Sequence, residues 1–235
     1  MKFSIEKSNI IEVLSKVQGV TGRKSSLAIT EAVLIRAKND GITITATDLE
    51  TGFEGVYPAV VEKEGTIALN SRKFYEIIRD FPTDNVVINE VENRWIEIGH
   101  PKVLYHIVGM NPDDFPDSPM VEDTQCLEID SYTLKRMIER NIIVAGASDD
   151  KRAHIIGVYL QKIQEKNKKS VRMVSTDGSR LVLADGSYEG DIDLKEGEGI
   201  LIPKKGLHEI NKFLDTEGVV RIGIKENHFV LKKDN

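Results

Sequence analysis

Ser71–Pro82, SRKFYEIIRDFP, is the stretch from which the rest of the chain can be read. Phe74, Ile77, Ile78 and Phe81 recur at i, i+3, i+4 and i+7, the apolar stripe of a 3.6-residue helix. Ser71 stands where an N-cap oxygen accepts from the first unpaired N–H groups, and Pro82 stops the run. The opposite face carries Arg72, Lys73, Glu76 and Arg79 and is mostly cationic. Alone, such a stretch reads as a solvated surface helix. It gains weight because the chain contains three more of the same kind.

The 235 residues suggest one or two domains, and 40% hydrophobic content is enough for a packed core. No run approaches the roughly 18 apolar residues of a membrane span. MKFSIEKSNI at the start reads as a strand and a polar turn rather than a secretion signal, so the expected location is the cytoplasm. Cys126, the single cysteine, excludes an intrachain disulfide and cannot hold a metal by itself. A net charge of −6 would argue against nucleic acid if it were evenly spread.

It is not, because one unit is written twice. Phe3 and Ile5 alternate as a strand; Ser8 then caps a helix with Ile10, Val13, Leu14 and Val17 inward, ending near Gly19. Val33–Ala37 and Ile42–Thr47 read as strands joined by Asn39-Asp40-Gly41, a hairpin signal. Gly52–Val61 and Thr66–Leu69 lead into the Ser71 helix, and Val86–Asn89, Trp95–Gly99 and Val103–Val108 follow as strands. The prolines and acids of Gly109–Asp123 read as an extended linker. Beyond it Leu127 and Ile129 echo Phe3 and Ile5, and Leu134, Met137 and Ile138 echo Ile10, Val13 and Leu14. Thr176-Asp177-Gly178 echoes Thr47-Asp48-Leu49 as a strand-end turn held by the aspartate. Pro203 then opens a helix with Leu207, Ile210, Phe213 and Leu214 inward, before strands at Val219–Ile224 and Phe229–Leu231. The expected fold is α+β: duplicated domains, each with two helices on a largely antiparallel sheet. The first spans 1–115, the linker 116–124 and the second 125–235.

The four helices hold ten basic residues against five acidic ones, while the whole chain holds 32 against 38. Positive charge is concentrated on equivalent elements of both repeats. Such helical faces attract phosphates without reading bases, a salt-sensitive contact.

Catalytic chemistry has no evident home. His100, His106, His154, His208 and His228 show no metal-ligand spacing, and no phosphate-cradling glycine loop, nucleophile elbow or cofactor motif occurs. Cys126 reads as strand packing, and Asp113-Asp114 and Asp149-Asp150 as solvated loop charges.

Several strings, in order, resemble the bacterial DNA polymerase III β subunit, the sliding clamp family. They are MKFSIEK at the start, TATDLE at 45–50, SRKFYEIIRDFP at 71–82, DDFP at 113–116, TLKRMIE at 133–139, VSTDGSRL at 174–181 and IPKKG at 202–206. The likeness spans the whole chain. It implies a non-enzymatic ring, a homodimer in full-length members, with helices lining the hole around double-stranded DNA. Its implied partners are a clamp loader, the replicative DNA polymerase and other proteins bearing a clamp-binding motif. No membrane partner and no cofactor are implied.

Residue by residue, the resemblance implies DNA contacts at Lys24, Arg72, Lys204 and Lys205 and in the loop carrying Asp149, Ala153 and His154. Ala153 and His154 depart from the aromatic or polar residues common there, and Asp149 brings a negative charge near phosphate. One half of a partner-peptide cleft falls on Ile155, Thr176, Gly178, Ser179, Arg180 and Leu181, and the ring contact on Ile77, Phe81 and Tyr105. Family members have three repeats. Here the second is expected to lack its last strand and the third to be absent, so these 235 residues are expected not to close a ring. A competing reading, from the residues alone, is a duplicated peptide-binding scaffold that never touches DNA. The location of the positive charge discriminates the two.

Overall fold

A computed structural model describes residues 1–21, 27–117, 121, 123–146, 152, 155–165, 168–192, 194 and 198–234. The chain divides into two compact units, Met1–Ser118 and Pro119–Asn235.

The first unit runs β1 (Lys2–Glu6), α1 (Lys7–Thr21), β2 (Ala32–Lys38), β3 (Gly41–Thr47), β4 (Gly52–Pro58), β5 (Val60–Lys63), β6 (Gly65–Asn70), α2 (Ser71–Asp80), β7 (Asn85–Glu90), β8 (Trp95–His100) and β9 (Val103–Val108). Its strands form two antiparallel sheets, ordered β4-β3-β2-β6 and β5-β1-β7-β8-β9. The second unit runs β10 (Cys126–Asp130), α3 (Ser131–Ile142), β11 (Gly157–Glu165), β12 (Lys168–Thr176), β13 (Leu181–Gly190), β14 (Gly199–Pro203), α4 (Lys204–Asn211), β15 (Val219–Lys225) and β16 (His228–Lys232). Here a seven-stranded sheet has the order β14-β11-β12-β13-β10-β15-β16.

The two orders superpose from β6 and β14 through to β8 and β16 once β4 and β5 together are matched to β13, and β9 has no counterpart among the described strands of the second unit. Gly52–Val61, read from sequence as one strand, is therefore two. Pro58 lacks an N–H, and the chain leaves the β3 ladder there before Val60 and Val61 pair with β1. β13 has no proline and passes from β12 to β10 unbroken. The duplication reaches single hydrogen bonds. Lys7 N–H donates to Asp84 O, and Ser131 N–H, at the equivalent helix start, donates to Gly218 O. Lys7 Nζ donates to Arg79 O and Phe81 O, while Ser131 Oγ donates to Asp215 O, so each first helix ties down the exit of the second.

Ile10, Val13, Leu14, Val17 and Val20 fill the core side of α1, which runs two residues past Gly19. On α2, Phe74 and Ile78 are fully buried, Phe81 follows buried at the C-cap, and Ile77 is only half-buried. Each full burial contributes on the order of 2 kcal/mol. Ser71 is not the N-cap. Asn70 is, with its Oδ1 accepting from Lys73 N–H at 3.0 Å. Ser71 turns inward and its Oγ accepts from Gln18 Nε2 at 2.8 Å, joining α2 to α1. On α3 the cap is Asp130, whose Oδ1 accepts from Thr133 N–H at 2.7 Å. The last helix is shorter than its apolar spacing predicts: it ends at Asn211, and buried Leu214 lies beyond it. Glu209, buried on α4, is paired with Lys212 at 2.6 Å.

The segment read as a linker begins as part of the first unit. Gly109 N–H donates to Arg94 O, Met110 bridges Ala68 on β6, and a 3₁₀ turn at Pro112–Asp114 buries Phe115 against Ala32, Leu34 and Ala68. A pattern of prolines and acids conceals one aromatic anchor, and that anchor decides the packing.

Candidate nucleic-acid interface and partner cleft

The wet faces of the helices are less uniformly cationic than their composition. Lys16 pairs with Glu12, Arg72 with Glu76, Arg79 with Asp80, and Lys212 with Glu209. Lys135 Nζ is spent on Leu214 O and Lys204 Nζ on Ala145 O, both at 3.0 Å, so these two amines also close loops onto helices. Arg72 remains highly exposed in its pair. Lys205 is half-buried. Lys24, Asp149, Ala153 and His154 lie outside the described residues.

One helix stands apart. On α3, Tyr132, Arg136 and Arg140 succeed one another at i, i+4 and i+8 on the exposed side, opposite buried Leu134, Met137 and Ile138. The Arg136 guanidinium lies 5.8 Å from the Tyr132 ring centre and donates to its hydroxyl at 3.3 Å. Among the described residues neither arginine has a carboxylate partner. Exposed Lys73 on α2 is likewise without one. The sequence reading counted these three cations but did not single them out. The four-residue spacing behind Tyr132 was the available signal for the two arginines.

The turn between β12 and β13 gathers most of the expected cleft residues. Thr176 Oγ1 donates to Arg180 O at 2.7 Å and accepts from Gly178 N–H at 3.0 Å. Asp177 Oδ1 accepts from Ser179 and Arg180 N–H, and Arg180 Nε donates to Asp177 Oδ2. Those N–H groups, then the Arg180 guanidinium, hold the Asp177 carboxyl down at about 2. Gly178 sits at φ +92°, and a Cβ there would meet Arg152 Nη1 at 2.6 Å; the same arginine donates to Asp177 O at 3.3 Å. Leu181 is 58% exposed, which removes core packing as its explanation. Ile155 is a correction. It is 3% exposed, its side chain lies against Gly146 and its carbonyl accepts from Gly146 N–H, so it supports the site from beneath.

The ring-contact residues divide similarly. Phe81 is buried and touches the Tyr105 ring at a centroid distance of 6.1 Å, leaving Tyr105 and Ile77 as the half-exposed members. Tyr105 belongs to β9, the edge of its sheet, where Leu104 and Val108 point into solvent. Cys126 is half-buried with Sγ donating to Thr124 O. Among the described residues, no three His, Cys, Asp or Glu side chains converge as metal ligands, and no helix is long and apolar enough to cross a membrane.

Residues 1–119 match the family model of the DNA polymerase III beta subunit N-terminal domain, and residues 128–235 match that of its central domain. The chain belongs to the DNA polymerase III beta subunit family. It is 28% identical to the beta sliding clamp of Bacillus subtilis and 30% identical to that of Vibrio cholerae, covering 100% and 98% of this chain. It spans 63% of the length of each of these relatives. Among solved structures it resembles the Bacillus subtilis DNA polymerase sliding clamp (TM-score 0.89, 26% identity, covering 99% of this chain and 62% of that one). It also resembles the sliding clamp of Caulobacter crescentus (TM-score 0.84, 25% identity, 94% and 60%). As a DNA polymerase III beta subunit domain pair, it carries the family's duplicated α+β fold.

Proposed function

We propose that this chain forms the DNA-embracing and partner-binding body of a sliding clamp, a non-catalytic subunit that holds a replicative polymerase on duplex DNA. The observation that carries the reading is the α3 stripe, two exposed arginines that have no carboxylate partner among the described residues, on a helix whose other side is core. Cations displayed at one-turn spacing meet backbone phosphates and carry no base-reading geometry. Arg72 and Lys73 on α2 are assigned the same role, and Lys24, Lys204 and Lys205 complete the proposed set of DNA contacts. The Thr176–Leu181 turn is rigid through its own hydrogen bonds and displays Leu181. It suits one half of a cleft for the apolar anchors of clamp-binding peptides from a polymerase or a clamp loader. The half-exposed Ile77 and Tyr105, with the free edge of β9, suit a head-to-tail contact of a ring homodimer.

The test is duplex binding followed by fluorescence anisotropy across a salt series, with Arg136→Glu and Arg140→Glu singly and together. Affinity should fall for every sequence tried, and the log–log salt slope should shrink by about one per lost phosphate contact. Unchanged binding by the double variant, or discrimination between sequences, would sink the proposal.

A further inference from the structure

Tyrosine and arginine share one geometry on two different helices. On α2 the Arg79 guanidinium lies 5.8 Å from the Tyr75 ring centre, and on α3 Arg136 lies 5.8 Å from that of Tyr132. In both pairs the residues are four apart, the spacing that sets one side chain a helical turn above the other. Their electrostatics differ. Arg79 donates through Nε and Nη2 to the two carboxylate oxygens of Asp80, at 2.9 and 3.0 Å, so its charge is answered and its forked donor face is occupied. Arg136 has no carboxylate partner among the described residues. Its Nη1 donates to the Tyr132 hydroxyl at 3.3 Å instead.

That bond decides what the hydroxyl can still do. A phenol carries one proton to donate and lone pairs with which to accept. The Tyr132 oxygen accepts from a cation, so its own proton is directed elsewhere, and among the described residues it meets no acceptor. The ring is 46% exposed, in the first turn of α3. Its face holds the guanidinium in place, which lowers the ordering cost of any later contact made by that arginine. The Tyr132–Arg136 pair therefore presents a neutral O–H and cationic N–H groups side by side, and exposed Arg140 continues the stripe one turn on.

We propose that Tyr132 and Arg136 act as one unit on a single backbone phosphate of duplex DNA, the ring positioning the guanidinium and the hydroxyl donating to a second oxygen of the same phosphate. The inference rests on the reading of α3 as a phosphate-facing helix and adds to it a neutral contact residue. A phosphate offers acceptors only, several to one centre, and tyrosine hydroxyls and arginine are both donors of the backbone-positioning kind. The bases of an intact duplex are stacked away from a helix that meets only the backbone, so the ring itself reads no sequence. Tyr75 on α2 is the internal control: it has the same ring-to-cation distance, but on an arginine that a carboxylate already holds.

The test is duplex anisotropy across a salt series with the full chain. A lost cation changes the salt slope, whereas a lost neutral donor does not, because it releases no counterion. Tyr132→Phe should weaken binding about fivefold at every salt concentration and leave the log–log slope and the melting curve unchanged. Tyr132→Ala, which also takes the platform from Arg136, should weaken it further, and Tyr75→Phe should have no effect. In a chain carrying Arg136→Gln, adding Tyr132→Phe should cost nothing more, the coupling expected of two groups on one phosphate. Wild-type affinity in Tyr132→Phe, while Arg136→Glu and Arg140→Glu still weaken binding, would overturn this inference and leave the DNA-binding reading standing. Full affinity in the arginine variants too would sink both. Additive losses at Tyr132 and Arg136, or a Tyr132→Phe loss matched by a lower melting temperature, would equally overturn the shared contact.

Discussion

At the scale of single residues, two turns with one hydrogen-bond plan differ where a side chain can stand. Thr47 Oγ1 donates to Thr51 O and accepts from Leu49 N–H, and Asp48 Oδ1 accepts from Glu50 and Thr51 N–H, as Thr176 and Asp177 do in their turn. Gly178 holds the left-handed position in the second turn. Leu49 holds it in the first, at φ +76° and 59% exposed. A leucine there is strained by about 1 kcal/mol, so Leu49→Gly should stabilise the protein by about that amount in chemical denaturation. Gly178→Ala should destabilise it, because Arg152 occupies the space of a Cβ. Asp177 makes a pH-dependent prediction. Its folded value of about 2 lies below its ordinary 3.8, so its contribution is complete above pH 4 and disappears as pH falls towards 2. Asp177→Asn keeps an oxygen acceptor for the turn. It should flatten the fall of melting temperature across that window, and an unchanged acid limb would show that the carboxylate is not held as described.

At the scale of elements, helix starts and covering segments carry the predictions. Asn70→Ala should cost about 1 kcal/mol through loss of the α2 cap, measured by denaturant midpoint. Ser71→Ala instead removes one of three acceptors of the Gln18 amide, which keeps Leu14 O and Ser71 O, so its cost should be smaller than that of Asn70→Ala. Phe115→Ala should destabilise the first unit by about 3 kcal/mol, far more than expected of a residue in a free linker. A smaller loss, within about 0.5 kcal/mol, would mean that the 109–115 segment does not seal the sheet.

At the scale of the molecule, a net charge of −6 and the proposed DNA-binding face coexist because basic residues gather on the helices, where four of the ten, Lys16, Arg72, Arg79 and Lys212, are answered by carboxylates. Among the described residues, Arg136 and Arg140 on α3 and Lys73 on α2 have no carboxylate partner. Reversing Arg136 and Arg140 together should therefore lower the salt slope by about two, while reversing Arg79, already paired with Asp80, should change it little. A large effect at Arg79 would move the interface to the far side of α2.

What the sequence determined by itself was whatever is written in local spacing. The four amphipathic helices follow from apolar residues three and four apart, the hairpins from Asn-Asp-Gly, and the two aspartate turns from side chains that bond their own backbone. Repetition of those signals in one order was enough for the duplicated α+β fold. Tertiary structure decided which partner each group meets across the chain. It made Ser71 a tie to Gln18 rather than a cap, sent Ile155 under the surface while leaving Leu181 outside, and folded Phe115 back onto Leu34. It also split the four helices' cations into paired and unpaired. Burial and pairing depend on residues that are neighbours in space but distant in the chain, and no local period encodes them.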